Sequence, residues 1–394
     1  MTDSKKTGLF TSVSVGTATV WFSTHCGAGF ASGTQELQFF ANHGWFGPLL
    51  PVVSMVLLAL TYYVGLETAR QTDLWTYDKW SMEAFYPHGK IISKFMEFCI
   101  VLTSISATAA CIAAGAQLLN QSFGISQFIA SLIMFVIVTL LCIYGENLVR
   151  RNAMIMTGAI LIIISIVLIA GLAKFWPDIV KNYQAGYVNP EAAKWSITGS
   201  SKETVHGNFF NSLLWALTYT GFQFAAIGGI TSSFKGAKSK SESKGAMILG
   251  AIVNIIMLVG VCLLIFSHMP FIYTDEQAKL LPTVYIVQQL NISVLSVLYP
   301  VLLFLALITT AVGFTFGIVE RFTPMVKIEN VTARKALISV VYLAICLAIS
   351  KLGLMWVVGT AYKYSGIFSW IFLIIPLWIF GYGNIGKRDR QQSA

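Results

Sequence analysis

Residues 26–33 read CGAGFASG and lie in the middle of an apolar stretch that runs from about residue 8 to residue 42. A straight membrane-spanning helix needs only about 20 residues, so this stretch is too long for one. Each glycine inside a helix costs about 1 kcal/mol relative to alanine. The motif therefore predicts a helix that is broken near its middle, with the freed backbone groups lining a cavity instead of facing lipid.

A second stretch of the same kind lies in the other half of the chain. Residues 218–223 read TYTGFQ and are followed by Gly228 and Gly229. Either glycine cluster alone could serve close helix packing, as the spacing of Gly29 and Gly33 allows. Because the two clusters occupy equivalent places in the two halves, they favour a pair of broken helices.

The composition is typical of an integral membrane protein. Of the 394 residues, 56% are hydrophobic and 11% are charged, whereas about a quarter of a soluble domain is charged. A soluble protein of this composition would expose large apolar patches and aggregate. The six cysteines form neither a CxxC motif nor a metal-ligand spacing, so we interpret them as packing residues.

The sequence predicts an all-α membrane protein of about ten spanning helices. The predicted helices cover about 8–42, 45–68, 91–118, 124–144, 151–173, 207–234, 245–267, 291–319, 332–350 and 353–381. With a cytoplasmic N-terminus, 19 of the 26 Lys and Arg residues lie inside, six lie outside and Lys363 lies within a helix. This asymmetry follows the positive-inside rule. The net charge of +9 is therefore a topology signal, and nucleic acid is not an expected partner.

The expected organisation is a single transmembrane domain built from an inverted repeat. Repeat one covers about 8–173, an external loop about 174–206 and repeat two about 207–381, and a cytoplasmic tail covers 382–394. Five helices in each half place the second half upside down relative to the first. We expect a multi-pass protein of a bacterial inner or plasma membrane, with both termini cytoplasmic.

This pattern resembles the amino acid–polyamine–organocation superfamily, whose transporters have the LeuT-type five-plus-five fold with broken helices 1 and 6. The stretch GAGFASGTQELQFF, residues 27–40, is similar to the bacterial YkvI-type membrane proteins. The resemblance implies a secondary transporter that works by alternating access. Its substrate would lie between the two broken helices, with helices three and eight closing the site.

The resemblance also implies sodium as the coupling ion, bound between helices one and eight. The ligands on helix eight would be the carbonyl of Ala306 and the hydroxyls of Thr309 and Thr310. Backbone carbonyls of Ser23 and Cys26 would complete the site on helix one. A hard cation binds several oxygen ligands of this kind, although threonines also hydrogen-bond to carbonyls of their own helix.

The candidate substrate site combines backbone and side-chain groups. Backbone N–H groups freed around residues 29–33 suit a carboxylate, and aromatic and amide side chains of helix six would face them. Each aromatic residue could equally belong to the core. The full set of candidate substrate-binding residues is Trp21, Phe22, Gly27, Gly29, Gly33, Thr103, Ser104, Tyr219, Thr220, Phe222 and Gln223.

Ionisable residues at membrane depth need an explanation, because a charge there is costly. We expect Glu36 and Lys363 to pair as an outer gate, with a static ion pair as the alternative. Glu97 is expected to pair with a basic loop residue, with a proton-relay role as the alternative. A structural hydrogen bond is the favoured role of His25, beside titration near neutral pH.

The leading functional hypothesis is a sodium-coupled symporter of a small metabolite, an amino acid or a related zwitterion or amine. One alternative is a proton-coupled transporter or exchanger, and another is a ligand-sensing membrane receptor subunit. No phosphate loop or HExxH motif occurs, so an enzyme is not expected. The expected partners are a small-molecule substrate and the lipid bilayer, and the substrate identity and oligomeric state stay open.

Overall fold

The computed structural model describes residues 8–25, 27–144, 146–188 and 209–393, with side chains throughout except at 28, 146–154, 156–157 and 389–393. The first half contains α1 (Ser12–His25), α2 (Ala28–Ser32), α3 (Thr34–Phe39), α4 (Leu50–Thr72), α5 (Tyr77–Ala84), α6 (Gly89–Phe123), α7 (Gln127–Tyr144) and α8 (Glu146–Gln184). The second half contains α9 (Phe209–Phe224), α10 (Ile227–Ser233), α11 (Lys240–Ser267), α12 (Phe271–Thr274), α13 (Pro282–Gln289), α14 (Ser293–Phe322), α15 (Val331–Ser350), α16 (Leu354–Trp356), α17 (Lys363–Ser369) and α18 (Tyr382–Ser393). Turns of 3₁₀-helix lie at Ala41–His43, Gly47–Leu49 and Thr323–Met325, and π-helical turns lie at Val357–Tyr362, Trp370–Ile374 and Leu377–Gly381.

The prediction of about ten spanning segments with breaks in the first and sixth is confirmed. Within the described residues, eight continuous helical stretches are long and apolar enough to cross a membrane. The pair α9 and α10 makes a ninth span that is bent by 54°. The pieces α1, α2 and α3 together cover the first predicted span, which is interrupted twice.

Helix α8 extends further than its apolar stretch. It runs to Gln184, eleven residues past the expected end at 173, so part of the expected loop is helical. Lys174 Nζ donates to Gln289 O at 2.8 Å, and Asn182 Nδ2 donates to Phe266 O at 2.8 Å. These donors satisfy carbonyls at the ends of α13 and α11. The extension is therefore held by polar contacts with distant segments, which hydrophobicity does not reveal.

Hydrogen bonds between elements define two sides of the helix bundle. Thr11 Oγ1, just before α1, donates to Glu242 Oε1 near the start of α11 at 2.9 Å. We call the side with these residues the proximal side. At the other end of the first span, Trp45 N donates to Tyr187 O at 2.8 Å, and we call that side the distal side.

Helices α9 and α17 pack with their backbones in contact. A Cβ atom on Gly221 would overlap the carbonyl oxygen of Gly366, and a Cβ atom on Gly366 would overlap that of Thr218. Small residues permit such close approach between membrane helices. Gly221 therefore lies in a continuous helix, and the break of the sixth span falls after it, at residues 225–226.

We expect Gly366→Ala to lower the thermal stability of the purified protein. The new methyl group forces α17 away from α9, and overpacking of this kind costs about 1–3 kcal/mol. Gly229→Ala is the matched control, because a Cβ there meets no heavy atom within 4 Å. Thermal unfolding in detergent measures both variants, and equal melting temperatures would contradict the packing role.

Candidate functional site

The first span is broken at two glycine positions. Helix α1 ends at His25 and α2 begins at Ala28, with Gly27 extended at φ −76° and ψ −163°. Gly33 separates α2 from α3 at φ +80°, a left-handed conformation that glycine adopts without strain. A Cβ atom on Gly33 would also overlap the hydroxyl of Thr283 on α13. The bend at Gly33 therefore depends on the absence of a side chain, whereas the extended conformation of Gly27 is open to other residues.

The break of the sixth span is stabilised by a tyrosine from a neighbouring helix. Tyr62 on α4 donates its hydroxyl proton to the carbonyl oxygen of Gln223 at 2.6 Å. The same carbonyl accepts the amide proton of Ala226 at 3.1 Å. Because no water is available inside a membrane, a carbonyl released by a bend needs such internal partners.

His25 connects the first break to two other spans. Its Nδ1 hydrogen-bonds to Asn254 Oδ1 on α11, and its Nε2 lies 2.6 Å from the hydroxyl of Tyr219 on α9. Asn254 Nδ2 donates to Gly250 O at 2.8 Å, so its Oδ1 accepts the Nδ1 proton of His25. Tyr219 then donates to Nε2 of the neutral imidazole. His25 thus has the structural hydrogen-bonding role expected from the sequence.

The space between the two broken helices is filled by a side chain of the chain itself. The Gln35 side chain lies against Gly29 so closely that a Cβ atom there would overlap it. Gln35 Oε1 lies 3.5 Å from the Tyr219 hydroxyl. On the same side, the Phe222 ring stacks on Tyr362 with centroids 3.9 Å apart. The predicted site residues Gly29, Tyr219 and Phe222 therefore surround the amide of Gln35.

Aromatic rings close the route from this space to the distal side. Phe39 and Phe40 contact Tyr219 edge to face, with centroids 5.2 and 4.9 Å apart. Phe39 also contacts Trp215 at 5.3 Å. All residues from 29 to 44 are buried. The distal half of the first span is therefore sealed in this conformation.

The proximal half of the first span has an open face. Its exposed residues are Ser12, Val15, Gly16, Thr19 and Thr24, most of them small or hydroxylated. On α14, Gly313 and Gly317 are exposed, and a Cβ atom on either would meet no heavy atom within 4 Å. On the proximal side, α1 and α14 therefore both expose small residues.

One of the candidate sodium ligands lies at the first break. A Cβ atom on Gly27 would lie 3.6 Å from Thr310 Oγ1. Thr309 Oγ1 donates to Leu305 O and Ala306 O at 3.0 and 3.1 Å, which leaves its lone pairs as acceptors. The structure thus brings the Thr310 hydroxyl to the first break.

The structure describes less of the two candidate sodium ligands of the first span. Ser23 is half-buried on α1, and Cys26 lies outside the described residues. Together with Ala306 and the two threonines, the described donors are hydroxyl and carbonyl oxygens, which suit a hard monovalent cation.

Four other candidates have packing roles in the structure. Trp21 contacts Tyr62 at 5.3 Å and covers Gly250, so it packs between α1, α4 and α11. Thr220 Oγ1 lies 3.2 Å from Ser54 O and tethers α9 to α4. Phe22 contacts Phe30 edge to face, and Ser104 donates to Ile100 O at 2.7 Å.

Thr103 on α6 differs from these residues. Its side chain is 4% exposed, and its hydroxyl has no hydrogen-bond partner within the described chain. Of the two helix-three candidates, Thr103 is therefore the one with a hydroxyl left for a ligand.

The expected pair of Glu36 and Lys363 is not formed. The ammonium group of Lys363 lies 5.8 Å from the ring centroid of Trp215 and 5.0 Å from that of Tyr364, the range of cation–π contacts. Glu36 is completely buried, and neither carboxylate oxygen has a hydrogen-bond partner among the described residues. Lys363 therefore contacts aromatic rings instead of the Glu36 carboxylate.

Two other carboxylates are paired near the proximal side. Glu97 on α6 binds Arg321 on α14, with Oε2 2.6 Å from Nη2. A basic partner was expected, but Arg321 lies in the last turn of a helix and not in a loop. Glu67 binds Arg70 at 2.9 Å and accepts a hydrogen bond from Ser243 on α11. These pairs link four spans. Among the described residues, no three His, Cys, Asp or Glu side chains come together as metal ligands.

Comparison with known proteins places the chain in a fold class. No protein-family profile matches the chain. It is 21% identical over 358 residues to the uncharacterized membrane protein YkvI of Bacillus subtilis (strain 168), which covers 90% of this chain and 93% of that protein. The similarity to YkvI-type proteins is thereby confirmed.

The solved structures that resemble this one have the LeuT-type fold. MhsT in complex with L-phenylalanine has a TM-score of 0.62 at 11% identity, covering 95% of this chain and 97% of MhsT. A Na⁺-coupled sialic acid symporter has a TM-score of 0.59 at 13% identity, covering 91% and 78%. The manganese transporter of Eremococcus coleocola has a TM-score of 0.54 at 16% identity, covering 93% and 78%. The chain therefore has the fold of a LeuT-type transporter, and none of these relatives is an enzyme.

Some residues of the site were not anticipated from the sequence. Asn254 is a lone polar residue in a long apolar run, and this pattern could have marked it. Gln35 and Tyr362 are adjacent in sequence to Glu36 and Lys363, which were candidate gate residues. Only the fold brings Gln35 and Tyr362 to the first break. Tyr62 carried no signal, because tyrosines are common in membrane helices.

We expect the contact of His25 with Asn254 to appear as a coupling in a double-mutant cycle. His25→Phe and Asn254→Leu each leave a buried polar partner unpaired, which costs about 1–3 kcal/mol. The double variant should therefore lose less stability than the sum of the single variants. Thermal unfolding of the purified proteins provides the measurement.

The control for this cycle pairs Asn254→Leu with Ser131→Ala. The Ser131 hydroxyl bonds to Gln127 O within α7, so this pair should be additive. Additive losses for His25 and Asn254 as well would show that the two side chains are not energetically connected.

Proposed function

We propose that the protein is a sodium-coupled secondary symporter of a small metabolite, an amino acid or a related zwitterion or amine. The observation that carries the proposal is the position of Thr310, whose hydroxyl lies beside Gly27 at the first break. Thr309 precedes it with lone pairs available. Hydroxyls and unwound carbonyls at such a break are suitable ligands for sodium.

The substrate class is supported by the lining of the space between the broken helices. Rings of Tyr219, Phe222 and Tyr362 surround the Gln35 amide, and a zwitterion or amine could replace that amide. Two structures of the same fold support the proposal, one with bound L-phenylalanine and one of a Na⁺-coupled symporter. Substrate binding would require Gln35 to leave the space over Gly29.

We assign the proximal side to the cytoplasm. The positive-inside rule places the excess of Lys and Arg on the side where α1 begins. We propose that a proximal cleft between the exposed faces of α1 and α14 reaches Thr310. With the distal side sealed by rings, the conformation is then inward-facing. Alternating access would separate Phe39 and Phe40 from α9 and close α1 against α14.

We expect sodium to raise the thermal stability of the purified protein when a substrate is present. A screen of amino acids, amines and osmolytes, each with sodium or with choline chloride, identifies the ligand by its sodium-dependent shift in melting temperature. Ligand binding stabilises a protein in proportion to RT ln(1 + [L]/Kd). Ligand shifts that are the same in sodium and choline would refute sodium coupling.

Two variants of Thr310 test the position of the ion. Thr310→Val removes the hydroxyl at nearly constant volume and should abolish the sodium-dependent shift, whereas Thr310→Ser should retain it. Thr315→Val is a control on the same helix, because the Thr315 hydroxyl bonds only along α14 and towards Cys142. If Thr310→Val keeps the full sodium response, the site lies elsewhere.

We expect Thr24→Cys to be labelled by a membrane-impermeant maleimide from the cytoplasmic side. Thr24 is exposed in the proximal cleft, whereas Phe40 is completely buried behind the rings. Right-side-out and inside-out vesicles with all native cysteines replaced distinguish the two sides. Phe40→Cys is the control and should react much more slowly from either side. Labelling of Thr24→Cys only from outside would invert the assignment.

A further inference from the structure

Glu36 is a buried carboxylate in the distal half of the first span, and the proposed sodium site does not explain its burial. Its side chain has 0% exposure, and both carboxylate oxygens lack a hydrogen-bond partner among the described residues. It lies on α3, which packs between α9, α11, α13 and the π-helical turn Val357–Tyr362.

Two further polar side chains on or beside the distal part of the first span have no partner. The Thr283 hydroxyl on α13 and both amide atoms of Gln38 on α3 are buried and unpaired within the described structure. Thr283 lies against Gly33, one helical turn before Glu36. Glu36 is therefore not the only group of this region with unused hydrogen-bonding capacity.

The charges around Glu36 do not neutralise it. Apart from Lys240, Glu242 and Lys244 at the proximal start of α11, the titratable groups on elements packed against α3 are His43, Tyr219, Cys262, Tyr285 and Tyr362, and Lys363 follows directly. Cys262 is close enough to interact electrostatically with Glu36. The only cation of this set at neutral pH, Lys363, is held by aromatic rings.

A bare carboxylate in such surroundings would be very costly, because neither hydrogen bonds nor a counter-charge replace its hydration. The cost falls if the group takes up a proton, since a neutral carboxyl group needs one acceptor only. Inside membranes, ionisable residues of this kind mark pathways of ions and protons.

We propose that Glu36 is a proton-binding site of the transporter, loaded while the distal half is closed. When the distal half opens, Glu36 meets water and can release the proton to that side. Each cycle would then carry a proton from the proximal side to the distal side. The inference rests on the alternating-access part of the proposed function and is independent of the sodium site.

Infrared spectroscopy of the purified protein at neutral pH tests the protonation directly. A protonated carboxyl group gives a carbonyl stretch that is separate from the bands of carboxylates and amides. We expect this band in the wild type and its loss in Glu36→Gln. Glu97→Gln is the matched control, because Glu97 is paired with Arg321, and the band should persist there.

Absence of a carboxylic acid band that depends on Glu36 would overturn the proposal. Glu36 would then be ionised and would hold a metal cation or the amine of a substrate. Infrared difference spectra with sodium or with a primary amine would show that case as a shift of the carboxylate bands, a shift that Glu36→Gln abolishes.

A second measurement links the proton to opening of the distal half. Cys262 is completely buried. In a variant that retains Cys262 as its single cysteine, alkylation of this thiol therefore reports local opening. The labelling rate is divided by that of unfolded protein at the same pH, which removes the intrinsic pH dependence of the thiol.

This ratio should rise with pH in the single-cysteine protein that retains Glu36. It should be independent of pH in the single-cysteine protein that also carries Glu36→Gln. A ratio that is independent of pH in both proteins would separate Glu36 from distal opening and contradict the proposed cycle. Neither measurement uses sodium or a substrate. A failure of the Thr310 test and a failure here are therefore distinguishable.

Discussion

A backbone group released from a helix inside a membrane has no water to bind, so the protein itself must supply its partner. This constraint governs the centre of the structure. Tyr62 on α4 satisfies the Gln223 carbonyl at the bend of the sixth span, and Tyr299 on α14 satisfies the Ala31 carbonyl in α2 at 2.6 Å. Each break is therefore tied to a different span. Such ties make the broken segments rigid enough to place ligands, yet able to move with the spans that hold them.

His25 joins the two breaks and α11 through one buried set of hydrogen bonds. On the distal side of His25, aromatic rings enclose the polar residues of the first span. On the proximal side of His25, the first span exposes small residues. The break thus separates a sealed half from an accessible half. Glu36 lies in the sealed half with no partner among the described residues, and Thr310 lies beside Gly27 at the first break. If both groups bind ions as proposed, a change of conformation would alter the access of each one.

The sequence predicted the spans and the locations of the breaks because both depend on local properties. Long apolar runs are recognisable from hydropathy, and Gly27 and Gly33 stand at the two bends of the first span. Gly221 was also assigned to a bend, but it serves packing against Gly366, because the two uses of glycine look alike in one chain. The pairing of Glu97 with a basic residue was anticipated, whereas the pair of Glu36 and Lys363 was wrong for this conformation. Lys363 prefers the rings of Trp215 and Tyr364, which only the fold brings to it.

The sequence by itself determined that the protein spans a membrane about ten times, that its first and sixth spans are broken and that helix eight carries two adjacent hydroxyls. Composition, hydropathy and glycine spacing are sufficient for these features, because each is a property of neighbouring residues. Only the tertiary structure decided which side chains meet at the break. Gln35 fills the central space, Asn254 fixes His25, and Glu36 has no partner. These contacts join residues far apart in the chain, and their energies depend on burial, which no local pattern specifies.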